Sequence, residues 1–101
     1  MSSHRATYID ELAAAIRAAT PPDRLPNEDG LDDLFRLYAL LALVKGEAVT
    51  TLDVHNAWAV WMTNRGEDHE SVVPFDMLAR ETQAEDEPFA TAIRQAAATH
   101  G

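Results

Sequence analysis

The sequence contains no cysteine, and this absence excludes several kinds of chemistry at once. Without thiols the chain cannot form a disulfide framework, a cysteine nucleophile or a thiolate metal site. Its four glycines are well separated, so there is no glycine-rich loop to hold a phosphate group. The three serines, Ser2, Ser3 and Ser71, lie outside any Gly-x-Ser-x-Gly turn of the serine-hydrolase type. We therefore predict no catalytic residue, no bound metal and no cofactor, and expect a protein that is not an enzyme.

Basic residues are also scarce, since eight lysines and arginines stand against seventeen aspartates and glutamates, for a formal net charge of -9. Such a surface repels phosphate backbones, and the single lysine, Lys45, and the scattered arginines form no basic patch. We predict no nucleic-acid partner and no attraction to an anionic membrane. The longest apolar run, residues 37–44, is too short to span a bilayer, and residues 1–7 are polar. We expect a cytoplasmic protein.

Helical periodicity and end signals predict four main helices and no convincing strand. Two of these helices begin with capping-box patterns, Thr7 with Asp10 and Thr50 with Asp53. Gly46 is placed to end the second helix, and a short turn over 75–78 begins after a proline. The predicted helices cover 8–19, 31–45, 51–64 and 86–99.

The second predicted helix is apolar around nearly its whole circumference, which indicates burial on all sides. The sequence therefore predicts an all-α fold, a small bundle of four main helices around this central apolar helix, forming one domain over 1–101. So short a chain offers few other helices to wrap it. A second copy of the chain covering Leu31–Lys45 would solve this, because burying one leucine-sized side chain contributes roughly 2 kcal/mol. A homodimer through that helix is the resulting prediction.

The third predicted helix carries the residues with the most binding chemistry. His55, with Asp53 or His69, has the residue types of an acid–base pair, although we favour a hydrogen bond to a loop that orients the helix. Trp58 and Trp61 each offer a flat ring for stacking, with burial in the core as the alternative. His69 lies in the charged segment 67–70, which has metal-ligand residue types but fits a solvated loop better.

Residues 53–95 resemble the ryanodine-receptor repeat domain. His55, Trp58 and Ala59 match its His-x-x-Trp-Ala helix, and 64–68 depart from its usual Gly-Trp-x-Tyr-Gly element. The later part of the pattern is matched by His69, Val73, Pro74, Phe75, Leu78 and Asp86. The whole chain also resembles short uncharacterised proteins of actinobacteria and their phages.

The repeat resemblance implies a non-enzymatic binding module for a nucleotide-like small molecule. The expected ligand-binding residues are His55, Trp58, Trp61, His69 and Phe75. Two alternatives remain open: a homodimeric interaction or assembly protein, and an acidic phage-type inhibitor of a host protein.

Overall fold

The structure, a computed structural model, describes residues 7–100, with the backbone alone for residue 100. It contains α1 (Tyr8–Ala19), α2 (Leu31–Lys45), α3 (Thr51–Asn64), α4 (Arg80–Ala84) and α5 (Glu87–His100). Three short 3-10 turns connect them, at Pro22–Arg24, Gly46–Ala48 and Phe75–Met77. Residues 7–100 form no strand, which confirms the predicted all-α class. None of the helices in this part of the chain is both long enough and apolar enough to cross a bilayer.

Local side-chain chemistry sets the helix ends. Both predicted capping boxes form: in each, the threonine side chain accepts from the aspartate N–H, and the aspartate side chain accepts from the threonine N–H. At the end of α3, Gly66 has a φ of 70°. Its N–H donates to the Thr63 carbonyl while the Glu67 N–H donates to the Met62 carbonyl, which is the Schellman arrangement. α4 is not predicted by the sequence pattern, because its five residues have no apolar periodicity and no side-chain cap.

Polar contacts show that α1 and α2, and then α2 and α3, run antiparallel. Between α1 and α2, Arg36 Nε donates to Asp10 Oδ1 over 2.8 Å, and Arg17 Nη1 lies 3.5 Å from Asp32 Oδ1. At the C-terminal end of α2, Lys45 Nζ donates to Asp53 Oδ1 over 2.9 Å. At its other end, the Trp61 indole N–H donates to the Gly30 carbonyl over 3.0 Å. α5 then packs against α1, α2 and α3, so α2 is contacted by all three other long helices.

The buried apolar residues of the described chain form one cluster centred on α2. Six residues of this helix are buried: Leu31, Leu34, Phe35, Tyr38, Ala39 and Ala42. The expectation that α2 is buried on every side is wrong for a single protomer. Leu40, Leu43 and Val44 remain 51%, 50% and 70% exposed. They lie on the side of α2 turned away from its core residues, and three neighbouring helices do not enclose the full circumference.

Candidate functional site

A cavity of about 470 Å³ opens where α2, α3 and the start of α5 meet two loops. Helices α2 and α3 supply a tyrosine, a histidine and a tryptophan, and the loops supply most of the charge. Pockets of this size are in the range that holds small organic molecules. The lining residues are Asp23, Arg24, Pro26, Leu34, Tyr38, His55, Trp58, His69, Ser71, Leu78, Thr82, Glu85, Asp86 and Phe89.

Tyr38 forms the floor of the cavity. Its ring is 2% exposed and packs edge-on against Phe35 at 5.3 Å and, tilted, against Phe89 at 5.7 Å. No described residue hydrogen-bonds to its hydroxyl group, although a buried tyrosine hydroxyl usually finds a partner. Burial, followed by the charge of Asp86, raises the pKa of Tyr38 far above its usual range. The hydroxyl therefore stays protonated and offers both a donor and an acceptor to the cavity.

Asp86 supplies a second polar group without a partner. It immediately precedes α5, and its backbone carbonyl accepts the Ala90 N–H. Pro88, the second residue of α5, has no N–H to give, and no residue between 7 and 100 donates to the Asp86 carboxylate. Burial, opposed by His55 and aided by the charge of Glu85, raises the pKa of Asp86 to about 6. A half-buried carboxylate is thus held beside an open cavity without a hydrogen bond.

His55 is 3% exposed and is fixed by the loop that follows α3. Its Nε2 lies 2.6 Å from the Val73 carbonyl, which can only accept, so Nε2 carries the proton. Its ring lies between those of Trp58, at 5.9 Å, and Phe75, at 5.8 Å. This agrees with the favoured interpretation that His55 orients α3 through a loop backbone. The remaining nitrogen, Nδ1, has no partner among the described residues.

Trp58 and His69 meet at the cavity wall. Their rings are perpendicular with centroids 5.2 Å apart. The Ser71 N–H donates to His69 Nδ1 over 3.0 Å, which leaves the proton of neutral His69 on Nε2. Three of the five predicted ligand-binding residues, His55, Trp58 and His69, therefore line the same cavity.

The other two predicted residues do not line this cavity. Trp61 is 3% exposed, donates to Gly30, and lies under the Arg65 guanidinium, 4.3 Å from the ring centre. Phe75 is half-buried, with its ring centre 5.8 Å from that of His55, and is not among the lining residues. Trp61 thus fits the core alternative, and Phe75 supports the histidine ring.

Charge around the cavity is mostly negative. Asp23, Glu85 and Asp86 line it, against one cation, Arg24, whose Nε lies 4.0 Å from the Asp23 carboxylate. Within residues 7–100, no three histidine, aspartate or glutamate side chains are grouped as metal ligands. If the ring of a ligand stacks on Trp58, these side chains can offer it hydrogen-bond acceptors and a carboxylate.

Sequence reasoning missed Tyr38 and Phe89 as members of this site. In the sequence both stand at apolar positions of helices, and in the structure both rings pack with the core. The available signal was the hydroxyl of Tyr38, since a tyrosine on the buried face of a helix needs a partner. For Asp86, the signal was the proline two residues later, which removes a backbone donor at the start of the helix.

Comparison with known proteins gives one match. A family model described as "Domain of unknown function (DUF7701)" matches residues 7–98. The expected ryanodine-receptor repeat over 53–95 is therefore wrong, because the matching family is a different one and extends over the N-terminal half as well. No curated protein and no solved structure matches the chain.

Proposed function

The chain belongs to the DUF7701 family, which has no assigned function, and we propose that it is a non-enzymatic module that binds a small planar molecule. The binding site is the cavity between Tyr38, Trp58 and Asp86. The ligand is nucleobase-like or nucleoside-like, with its ring against Trp58 and its polar edge toward the other two side chains.

The observation that carries the proposal is the pair of unpartnered polar groups in one cavity. The Tyr38 hydroxyl and the Asp86 carboxylate both line this cavity, and neither has a hydrogen-bond partner among the described residues. Both can therefore bond to a molecule in the cavity without breaking a contact within the protein. A ligand with a donor edge could hydrogen-bond to the two groups at once.

The lining supports the base of a nucleotide more than its phosphate. Trp58, His69 and Phe89 offer flat or edge contacts to a ring. A phosphate group would need cations or converging N–H groups, and Arg24 already lies beside Asp23. Of the nucleotide-like ligand that the repeat resemblance implied, the lining therefore supports the aromatic base but not the phosphate group.

Binding without catalysis fits the same residues. Although His55 has an imidazole near a carboxylate, its Nε2 is committed to the Val73 carbonyl. A general base needs a nucleophile or substrate proton within hydrogen-bond reach, and neither Ser71 nor Thr82 is bonded to a histidine through its hydroxyl.

The two tryptophans allow a direct test. In a Trp61→Phe variant, Trp58 is the only indole, and it lies at the cavity. We expect adenosine or cytidine to change its fluorescence on titration, and the corresponding 5′-monophosphates to bind more weakly. A Trp58→Phe variant, with Trp61 as the remaining indole, is the matched control and should give no signal. If no nucleoside or free base changes Trp58 emission in this variant or the melting temperature of the wild type, the assignment of a nucleoside-like ligand is wrong.

A second candidate, a homodimer through α2, rests on the exposed apolar side of that helix. Leu37, Leu40, Leu41 and Val44 follow the spacing i, i+3, i+4, i+7 of a helix-packing face. Burying the exposed parts of Leu40, Leu43 and Val44 in two protomers would contribute about 6 kcal/mol. Association itself opposes this by an amount of similar size, so the expected dimer is weak and concentration-dependent.

Light scattering coupled to gel filtration tests the dimer. We expect the apparent mass to rise with protein concentration in the wild type and to stay at one protomer in Leu40→Glu. Leu52→Glu, which alters a leucine of similar exposure on α3, should behave as the wild type. A wild-type protein that stays monomeric at high micromolar concentration would remove this candidate.

A further inference from the structure

We infer that the cavity selects for positive charge, and that its preferred ligand is a small aromatic cation of the amidinium or protonated-amine class. This inference rests on the proposed function and deepens it, because it assigns a charge to the ligand of the same site. The cationic group would lie between Asp86 and the Tyr38 hydroxyl, with the ring at Trp58.

The titratable groups that line the cavity with Asp86 come from several elements. Glu85 precedes it in the chain and α2 contributes Tyr38, which stays neutral. α3 contributes His55, whose Nε2 is already bonded to a carbonyl. The loop after α3 contributes His69, whose Nδ1 accepts the Ser71 N–H. The loop between α1 and α2 contributes Arg24 together with Asp23, a pair of opposite charges. No formed ion pair or hydrogen bond within residues 7–100 uses the Asp86 carboxylate, so its charge is open to a ligand.

The neutral groups of the cavity also favour a cation. The Tyr38 oxygen can accept a hydrogen bond while its own proton points elsewhere. An indole face attracts cations through its quadrupole, and a desolvated site strengthens that attraction. An anion would meet the Asp86 and Glu85 carboxylates in a half-enclosed space, where like charges repel more strongly than in water.

Three ring compounds of nearly equal size separate charge from shape: benzamidinium, benzamide and benzoate. Each is titrated at pH 7.5 into the wild-type protein while heat is recorded, and into the Trp61→Phe protein while Trp58 fluorescence is recorded. We expect benzamidinium to bind at least about tenfold more tightly than benzamide, a difference typical of one charge-assisted hydrogen bond. Benzoate should not bind.

Substitution of the carboxylate gives the second arm. Asp86→Asn should weaken benzamidinium binding by about tenfold and leave benzamide unchanged, because only the charged contact is removed. Asp76→Asn removes the same charge from an exposed turn and should change neither ligand. Since burial raises the pKa of Asp86 to about 6, wild-type affinity for benzamidinium should fall as the pH drops from 7 to 5. This pH series does not depend on the variant folding.

The outcomes separate the two claims. Equal binding of benzamidinium and benzamide, or equal loss in the Asp86 and Asp76 variants, would overturn the charge preference while leaving a small-molecule site in place. If all three probes and the nucleosides leave Trp58 unchanged, the proposed function itself fails. Tighter binding of benzoate than of benzamidinium would overturn the inference directly.

Discussion

Replacing Asp86 by asparagine should make the protein more stable at neutral pH, and the size of the gain follows from the environment of this side chain. Burial raises the pKa of Asp86 from 3.8 to about 6, so the folded state binds the proton more tightly than the unfolded state does. The contribution of Asp86 to wild-type stability therefore falls as pH rises through the window between 3.8 and about 6. Above that window the full penalty of a half-buried, ionised carboxylate is present.

A shift of about two units corresponds to about 3 kcal/mol if the site were fully shielded from solvent. Because the cavity is open and the carboxylate only half-buried, solvent screening reduces this to about 1–2 kcal/mol. Asparagine cannot ionise and is as good as aspartate before a helix start. For a domain of this size, such a gain raises the melting temperature by roughly 5–10 °C.

The assay is thermal or urea unfolding of both proteins at several pH values between 4 and 8. We expect the two curves to coincide near pH 4 and to separate above pH 6, with the variant more stable. Asp76→Asn removes one negative charge at an exposed position, so any stability that it gains is subtracted from the gain of Asp86→Asn. A difference between wild type and Asp86→Asn that does not vary with pH would refute the reasoning.

Three further predictions concern the fold. Thr50→Ala removes the cap of α3 and should lower the free energy of unfolding in urea by about 1 kcal/mol, with Thr51→Ala, one residue later, as a smaller change. Ile93→Ala opens a cavity at a fully buried site and should lower it by about 2–5 kcal/mol; a loss below 1 kcal/mol would contradict the packing. For Asp10, a hydrogen bond from Arg36 lowers the pKa to about 2, so its stabilising effect is present above pH 4 and lost as pH falls toward 2. Asp10→Asn should therefore reduce stability at pH 7 and match the wild type near pH 2, as measured by circular dichroism.

Helix bounds could be predicted from the sequence because local chemistry sets them. The side chains of Thr50 and Asp53 each accept a hydrogen bond from the backbone N–H of the other. Gly66 adopts a positive φ, which glycine tolerates better than residues with a side chain do. These signals need no information about tertiary contacts. α4 lies at the other extreme, since its five residues carry neither periodicity nor a cap, and it forms between the turn after Pro74 and the start of α5.

The site could be predicted only in part, because its members are far apart in the chain. His55 and Trp58 are neighbours on one helix face, and that proximity is readable from spacing. Tyr38 and Asp86 meet only because α5 packs onto α2, which no local pattern encodes. The exposed side of α2 illustrates the same limit: the pattern gives a fully apolar helix, but the number of neighbours available to cover it depends on the whole fold.

The repeat resemblance was wrong for a physical reason that the contacts make visible. A His-x-x-Trp helix followed by a proline–aromatic turn is also what a small bundle needs to fasten a loop to a helix. Here the His55 ring bonds to the Val73 carbonyl and packs on Phe75, so the motif has a structural use of its own. A short motif of this kind can therefore reflect a local packing requirement and not membership of a family.

The hydrogen bond from the Trp61 indole to the Gly30 carbonyl has a consequence for the entropy of ligand binding. The connection from α1 to α2, which carries Asp23 and Arg24, is fixed at its C-terminal end by that indole and by the Arg65 guanidinium, which donates to the Asp29 carbonyl. Two contacts to α3 and its C-terminal cap leave this segment less conformational freedom to lose when a ligand binds. The entropic loss on binding should therefore be smaller than it would be for an unattached loop.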